Sequence, residues 1–120
     1  ITVVAYSLMM HRAMEAAAEL DGRVSVEIID PRTLHPFDLD TVLVSLRKTG
    51  RLLVVHESPV RCGVGGDIVR RVCGAGFELL RQAPQVVGGK DSPIPFSKSL
   101  EDAVIPQVSD IRAAIEAMVG

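Results

Sequence analysis

His56 and Glu57 follow the apolar run Leu52-Leu53-Val54-Val55, where a buried strand would deliver them to its carboxyl end. In open α/β sheets that edge is where ligands and partners are met. A zinc-protease helix would need a second histidine at position 60, and Val60 stands there. His11, His35 and His56 fall on separate segments, and neither Cys62 nor Cys73 has a neighbour at ligand spacing, so no metal site is expected. The His56-Glu57 pair therefore reads as a strand-end ion pair or hydrogen-bond clamp holding the loop through Pro59 and Arg61.

Gly63-Val64-Gly65-Gly66 comes next, between a strand and a helix, where a phosphate-binding turn would sit. The dinucleotide fingerprint would require a third glycine at position 68, which is Ile68, and no Gly-Lys-Ser/Thr follows for a P-loop. The preferred reading is a glycine-rich helix start that allows close packing or an interface. A free-standing flavodoxin-like module binding a nucleotide or phosphate there is the alternative. Ser7, Ser58 and Cys62 lack the G-x-S-x-G elbow, and no catalytic residue is assigned. In Asp30-Pro31-Arg32-Thr33, Asp30 and Arg32 have the chemistry to bind backbone amides and carboxylates and so fix a crossover. Asp91, Pro93, Pro95 and Phe96 lie on a proline-stiffened stretch, Gly88 to Phe96, suited to packing against a partner. A core-facing Phe96 is the competing reading.

These groups need elements to position them. Thr2 to Tyr6 is apolar and β-branched, an interior strand. Ser7 is placed to cap a helix with Met9, Ala13, Ala16, Ala17 and Leu20 on one face, ended by Asp21-Gly22. Val24, Val26 and Ile28 alternate as a second strand. Asp38 is expected to cap a helix over Leu39, Val42, Leu43 and Leu46 that stops at Gly50. Leu52 to Val55 is the third strand. A third helix with Ile68, Val69 and Val72 inward is expected to break at Gly74 and Gly76, before a short strand, Pro84 to Val87. Gly88 to Gln107 reads as irregular. The last helix carries Ile111, Ala114, Ile115 and Met118, capped by Ser109 or Asp110. Alternating strands and helices predict an α/β fold, three layers α/β/α around a mostly parallel sheet of about five strands.

The 120 residues suit one domain, residues 1–120. The 13 basic and 15 acidic residues are spread without a block, which argues against a nucleic-acid or membrane-surface footprint. No apolar run is long enough to span a bilayer. Two cysteines cannot make a secreted disulfide framework, which favours a reducing compartment. The chain opens inside a strand at Ile1, which suggests a C-terminal domain cut from a longer chain.

The run Asp30-Pro31-Arg32-Thr33-Leu34-His35-Pro36-Phe37-Asp38, then Lys48-Thr49-Gly50-Arg51-Leu52-Leu53-Val54-Val55-His56-Glu57, resembles the β subunit of thiamine-dependent 2-oxo acid dehydrogenases. So do Gly88-Gly89-Lys90-Asp91-Ser92-Pro93-Ile94-Pro95, Leu100-Glu101 and Ile105-Pro106, in the same order. The resemblance is to the subunit's C-terminal, transketolase C-terminal-like domain, carried by pyruvate, branched-chain 2-oxo acid and acetoin dehydrogenases. It departs at Tyr6-Ser7-Leu8-Met9-Met10, where a glycine-rich or polar turn is usual, and at Asp67, where Glu is common. Those departures leave the substrate subfamily open.

The resemblance implies an α/β assembly domain. Thiamine diphosphate and Mg²⁺ would sit between the α subunit and the missing N-terminal thiamine-pyrimidine-binding domain, with none on this domain alone. The implied partners are the α subunit, a second β subunit and the acyltransferase core, in the cytoplasm or the mitochondrial matrix. Glu57, Arg61, Gly63, Gly65 and Gly66 become candidates for bracing an interface. Asp91, Pro93, Pro95, Phe96 and Glu101 become candidates for a subunit or acyltransferase contact. The C-terminal domain of a transketolase or deoxyxylulose phosphate synthase, which shares the fold but matches these blocks less closely, is a third assignment.

Overall fold

Hydrophobic residues on both faces of β1 (Thr2–Ala5) force it into the middle of the sheet, and all four residues are buried. The computed structural model describes all 120 residues. The chain continues through α1 (Leu8–Glu19), β2 (Glu27–Ile29), α2 (Leu39–Thr49), β3 (Leu52–Pro59), α3 (Val64–Gly76), a 3₁₀ turn over Phe77–Leu79, β4 (Gln85–Gly89), α4 (Lys98–Val104) and α5 (Val108–Val119). The sheet is wholly parallel, in the order β2-β1-β3-β4, with Val4 opposite both Ile29 and Val54 and Val55 opposite Val87. It has four strands, one short of the approximate count expected.

Alternation along the strands sorts two cores. Val3, Ala5, Leu53 and Val55 point to α1 and α5, where Met9, Ala13, Ala16, Ile111, Ile115 and Met118 meet them. The alanines let α1 lie close to the sheet. Val4, Leu52 and Val54 point the other way, to Val42 and Leu46 of α2 and Ile68 and Val72 of α3. The α/β/α layering is as expected.

Local signals set several boundaries. The Asp38 side chain accepts from the Thr41 amide at 3.1 Å, and Gly50 ends α2 in the left-handed region at φ 67°. Other expectations need correction. Ser7 is the N-cap of α1, but its side chain makes no capping bond. The second strand begins only at Glu27, leaving Val24 and Val26 ahead of it. The third and fourth strands run on to Pro59 and Gly89. α3 passes through Gly74 and stops only at Gly76. Asp110 serves in the first turn of α5, its carboxylate accepting from the Gln107 amide at 2.8 Å, with Gln107 as N-cap. Most of all, the stretch expected to be irregular contains α4, docked where the Lys90 amide donates to the Val104 carbonyl at 2.9 Å and Arg12 reaches Pro106 O at 2.5 Å.

A polar relay ties β1, β2 and α2 at the amino edge of the sheet. The Glu27 carboxylate only accepts, so Ser45 Oγ donates to it at 2.8 Å. Ser45 then accepts from Thr2 Oγ1 at 2.6 Å, and Thr2 from Thr49 at 2.7 Å. Lys48, chiefly, and then Ser45 hold the Glu27 carboxyl below its ordinary range. Ser45→Ala leaves the buried Thr2 hydroxyl without its acceptor and should cost about 1–3 kcal/mol in urea unfolding. A loss within error would show that the relay is incidental.

Candidate interface at the carboxyl edge of the sheet

Parallel strands bring the loops after all four to one edge. β1 connects to β2 on one side, and the chain then crosses to β3 on the other, so the strand order reverses between β1 and β3. Such a reversal opens a crevice at the carboxyl ends. Tyr6 and Glu57 face each other there: burial first, and the Glu57 charge second, push the Tyr6 phenol above its ordinary pKa.

Beside Glu57 the ladder is irregular. β3 advances from Val55 to Pro59 while β4 advances only from Val87 to Gly89. A bulge of this kind bends a strand and re-aims its side chains. Glycines make the close approach possible: a Cβ at Gly88 would sit 2.7 Å from Ser58 O, and one at Gly89 would strike the Glu57 carbonyl. The His56 ring fills the bulge and is fully buried. Its Nδ1 lies 2.8 Å from the Ser58 carbonyl and 3.0 Å from Ser58 Oγ. A carbonyl only accepts, so Nδ1 carries the proton. It cannot then act as a base toward the Ser58 hydroxyl, which closes the nucleophile reading for Ser58. Nε2 is buried without a partner.

The glycine-rich turn is the other wall of this slot. A Cβ at Gly63 would lie 2.5 Å from Pro59 O and 2.8 Å from His56 Cε1; one at Gly65 would lie 2.6 Å from His56 Nε2 and 2.7 Å from Val86 Cγ1. Gly63 and Gly65 thus make room for an imidazole, the close-packing reading preferred above. Gly66 has nothing within 4 Å of its Cβ position and is exposed.

Arg61 and Asp91, taken separately from the sequence, are joined by an exposed ion pair that links the loops after β3 and β4. Beyond it Pro93 is exposed, Pro95 half-buried and Phe96 wholly exposed, against the core-facing alternative. Ile94 and Leu100 are also exposed beside it in sequence. Glu101 is half-buried on α4, its carbonyl accepting from the Ile105 amide at 3.0 Å.

Sequence reasoning missed a cleft of about 600 Å³ at the ends of β1 and β2, lined by Tyr6, Ser7, His11, Asp30, Arg32 and Leu34 among others. Adjacency of the two strand ends was the signal that could have found it. Asp30 fixes its rim as expected, accepting from the Arg32 amide at 3.1 Å and pairing with the guanidinium at 3.2 Å. Ser7, Arg32 and Cys62 hold left-handed backbone at φ 56°, 60° and 58°, one in each of the first three loops of this edge.

The sequence profile of the family described as "Transketolase, C-terminal domain" matches residues 1–111. The chain belongs to this family. Among its relatives is the "Acetoin:2,6-dichlorophenolindophenol oxidoreductase subunit beta" of Cupriavidus necator, 45% identical over 115 residues, 95% of this chain and 34% of that protein. The human "Pyruvate dehydrogenase E1 component subunit beta, mitochondrial" is 43% identical over 119 residues, 97% of this chain and 33% of that one. The family fold also appears in a solved chain titled "Split gene transketolase, inactive beta4 tetramer", with a TM-score of 0.82 and 24% identity over 98% of this chain and 38% of that chain. The chain thus spans about a third of these curated relatives. No helix in it is long and apolar enough to cross a membrane.

Proposed function

We propose that this chain is the C-terminal domain of the β subunit of a thiamine-dependent 2-oxo acid dehydrogenase, within the component that decarboxylates the oxo acid and passes the acyl group to lipoamide. It supplies contacts to the α subunit and to a second β subunit, and it docks the acyltransferase core. The observation that carries this reading is identity of 45% to an acetoin oxidoreductase β subunit and 43% to a pyruvate dehydrogenase β subunit along nearly the whole chain. The wholly exposed Phe96, on a loop tied to the β3 loop by Arg61–Asp91, supports a contact role for this edge. The compartment follows the relatives: cytoplasm in bacteria, mitochondrial matrix in eukaryotes.

Thiamine diphosphate and Mg²⁺ do not fit the residues of this domain. No three His, Cys, Asp or Glu side chains converge to hold a cation, and the glycine turn that would cradle a diphosphate is packed against an imidazole. The reading therefore assigns both to the rest of the assembly and routes no chemical step through this domain. The packing of Gly63 and Gly65 on His56 counts against the phosphate site of the flavodoxin-like alternative.

The test is assembly of the full β subunit with its α subunit and with the acyltransferase's subunit-binding segment. Phe96→Asp should weaken one of these associations about tenfold, since a buried aromatic anchor is worth more than 1 kcal/mol at an interface. Charge reversal at Glu57, Asp91 or Glu101 should weaken it less. Unchanged association for all four variants, with unchanged melting, would sink the assignment.

A further inference from the structure

We propose that His56 is a proton-operated latch: as a neutral imidazole it locks the β3 bulge to the start of α3, and protonation at Nε2 releases the segment from Glu57 to Gly66. The imidazole sits in a buried slot walled by Gly63 and Gly65 on α3's side and by Val86 and Gly88 on β4. Its Nδ1–H is committed to the Ser58 carbonyl across the bulge, so Nε2 is the only nitrogen left to take a proton. Nε2 packs against the first turn of α3, a helix of 13 residues whose N-cap, Gly63, brings no side-chain acceptor. The amides at the start of that turn form the positive end of the helix. A bare nitrogen lone pair is favourable there, and an N–H⁺ is not.

No neighbouring charge offsets this. The ionisable groups on the segments flanking the slot are Tyr6 after β1, Glu57 on β3, Arg61 and Cys62 in the following loop, Asp67 in α3's first turn and Lys90 after β4. Burial is the main cause that lowers the imidazole's pKa below 6.5, and no charged side chain is among the causes. The sign follows. The closed slot rejects a proton that the opened one accepts, so closure is at full strength above about pH 6.5 and weakens as pH falls, by up to about tenfold per unit, until the closed-state value is passed. The released segment carries Glu57 and Arg61, and through Arg61 the tie to Asp91.

Two measurements on the chain as it stands decide this. Long-range nitrogen–proton NMR should show His56 as the Nδ1–H tautomer, with Nε2 bare, at neutral pH. Hydrogen exchange, corrected for intrinsic rates, should show a loss of protection in residues 57–66 between about pH 7.5 and about pH 5, no steeper than about tenfold per pH unit. Protection in α1 and α5 should hold, and His56→Gln should abolish the pH step. A proton on Nε2 at neutral pH overturns the proposal, as does a pH step that survives in His56→Gln or is shared equally by every helix. If His56→Gln does not fold, the tautomer and the locality of the exchange in the parent chain still decide. No partner enters the test, so its failure leaves the assembly reading standing, and failed assembly leaves the latch standing.

Discussion

Gly65→Ala should destabilise the fold by about 2–3 kcal/mol, while Gly66→Ala, one residue on, should stabilise it by about 0.5–1 kcal/mol. The two glycines look equivalent in the sequence and sit in the same helical turn. At Gly65 the new methyl meets His56 Nε2 at 2.6 Å and Val86 Cγ1 at 2.7 Å. Neither neighbour is a free side-chain end: the imidazole is held by the Ser58 carbonyl, and Val86 stands on β4 within the sheet. The methyl therefore has to displace the ring or the strand. At Gly66 the position is open, and alanine gains only the helix preference that glycine lacks. Chemical denaturation of the two variants measures the difference directly. The reverse order, with Gly66 intolerant and Gly65 permissive, would mean that the exposed side of the turn is the constrained one, as a phosphate site requires.

That contrast also shows where sequence reading stops. β1 and the first half of β3 were legible because strands buried on both faces are continuously apolar. α2 was legible because its two ends are local chemistry, Asp38 and Gly50. The bulge was not, because it depends on Gly88 and Gly89 approaching carbonyls of Glu57 and Ser58 some thirty residues earlier in the chain. The same holds for the Gly63–Gly65 wall, whose partner is a side chain on the preceding strand. α4 was hidden for a different reason: it spans only seven residues, too few for Leu100, Ala103 and Val104 to stand out as a helical period among the prolines on either side. Gly76 was expected only to break a helix, yet its missing Cβ also admits Leu43 of α2, whose Cδ2 would lie 2.7 Å away. At the candidate edge, a strand end singled out Glu57 and the loop after it Arg61, and a proline-stiffened stretch singled out Asp91, while the pairing of the last two needed the fold. The family came from neither source alone: ordered blocks of sequence suggested it, and the profile match over residues 1–111 established it.

Removing residues 112–120 should abolish cooperative folding, although the family profile is satisfied by residue 111. Ile115 and Met118 lie in that stretch, exposed by 0% and 2%, in the core with Met9, Ala13, Ala16, Leu53 and Val55. Each fully buried aliphatic side chain contributes about 1.5–3 kcal/mol in removal from water, and an unfilled cavity adds to the loss. Truncation would also strip the cover from α1, whose small Ala13 and Ala16 can bury the sheet only with α5 beside them. It would remove the Arg112–Glu19 bridge at 2.9 Å as well, a minor loss because both groups are largely exposed. Against a net stability of about 5–15 kcal/mol for an ordinary domain, the apolar losses suffice. Ile115→Ala isolates the effect within the full chain and should cost about 3–4 kcal/mol, with the denaturant slope unchanged. If the shortened chain still unfolds in one sharp transition, the sheet and α1 hold their shape without α5. If only Ile115→Ala is mild, Met118 and the partly buried Ala114 have closed over the gap, and the packing of α5 is looser than its burial implies.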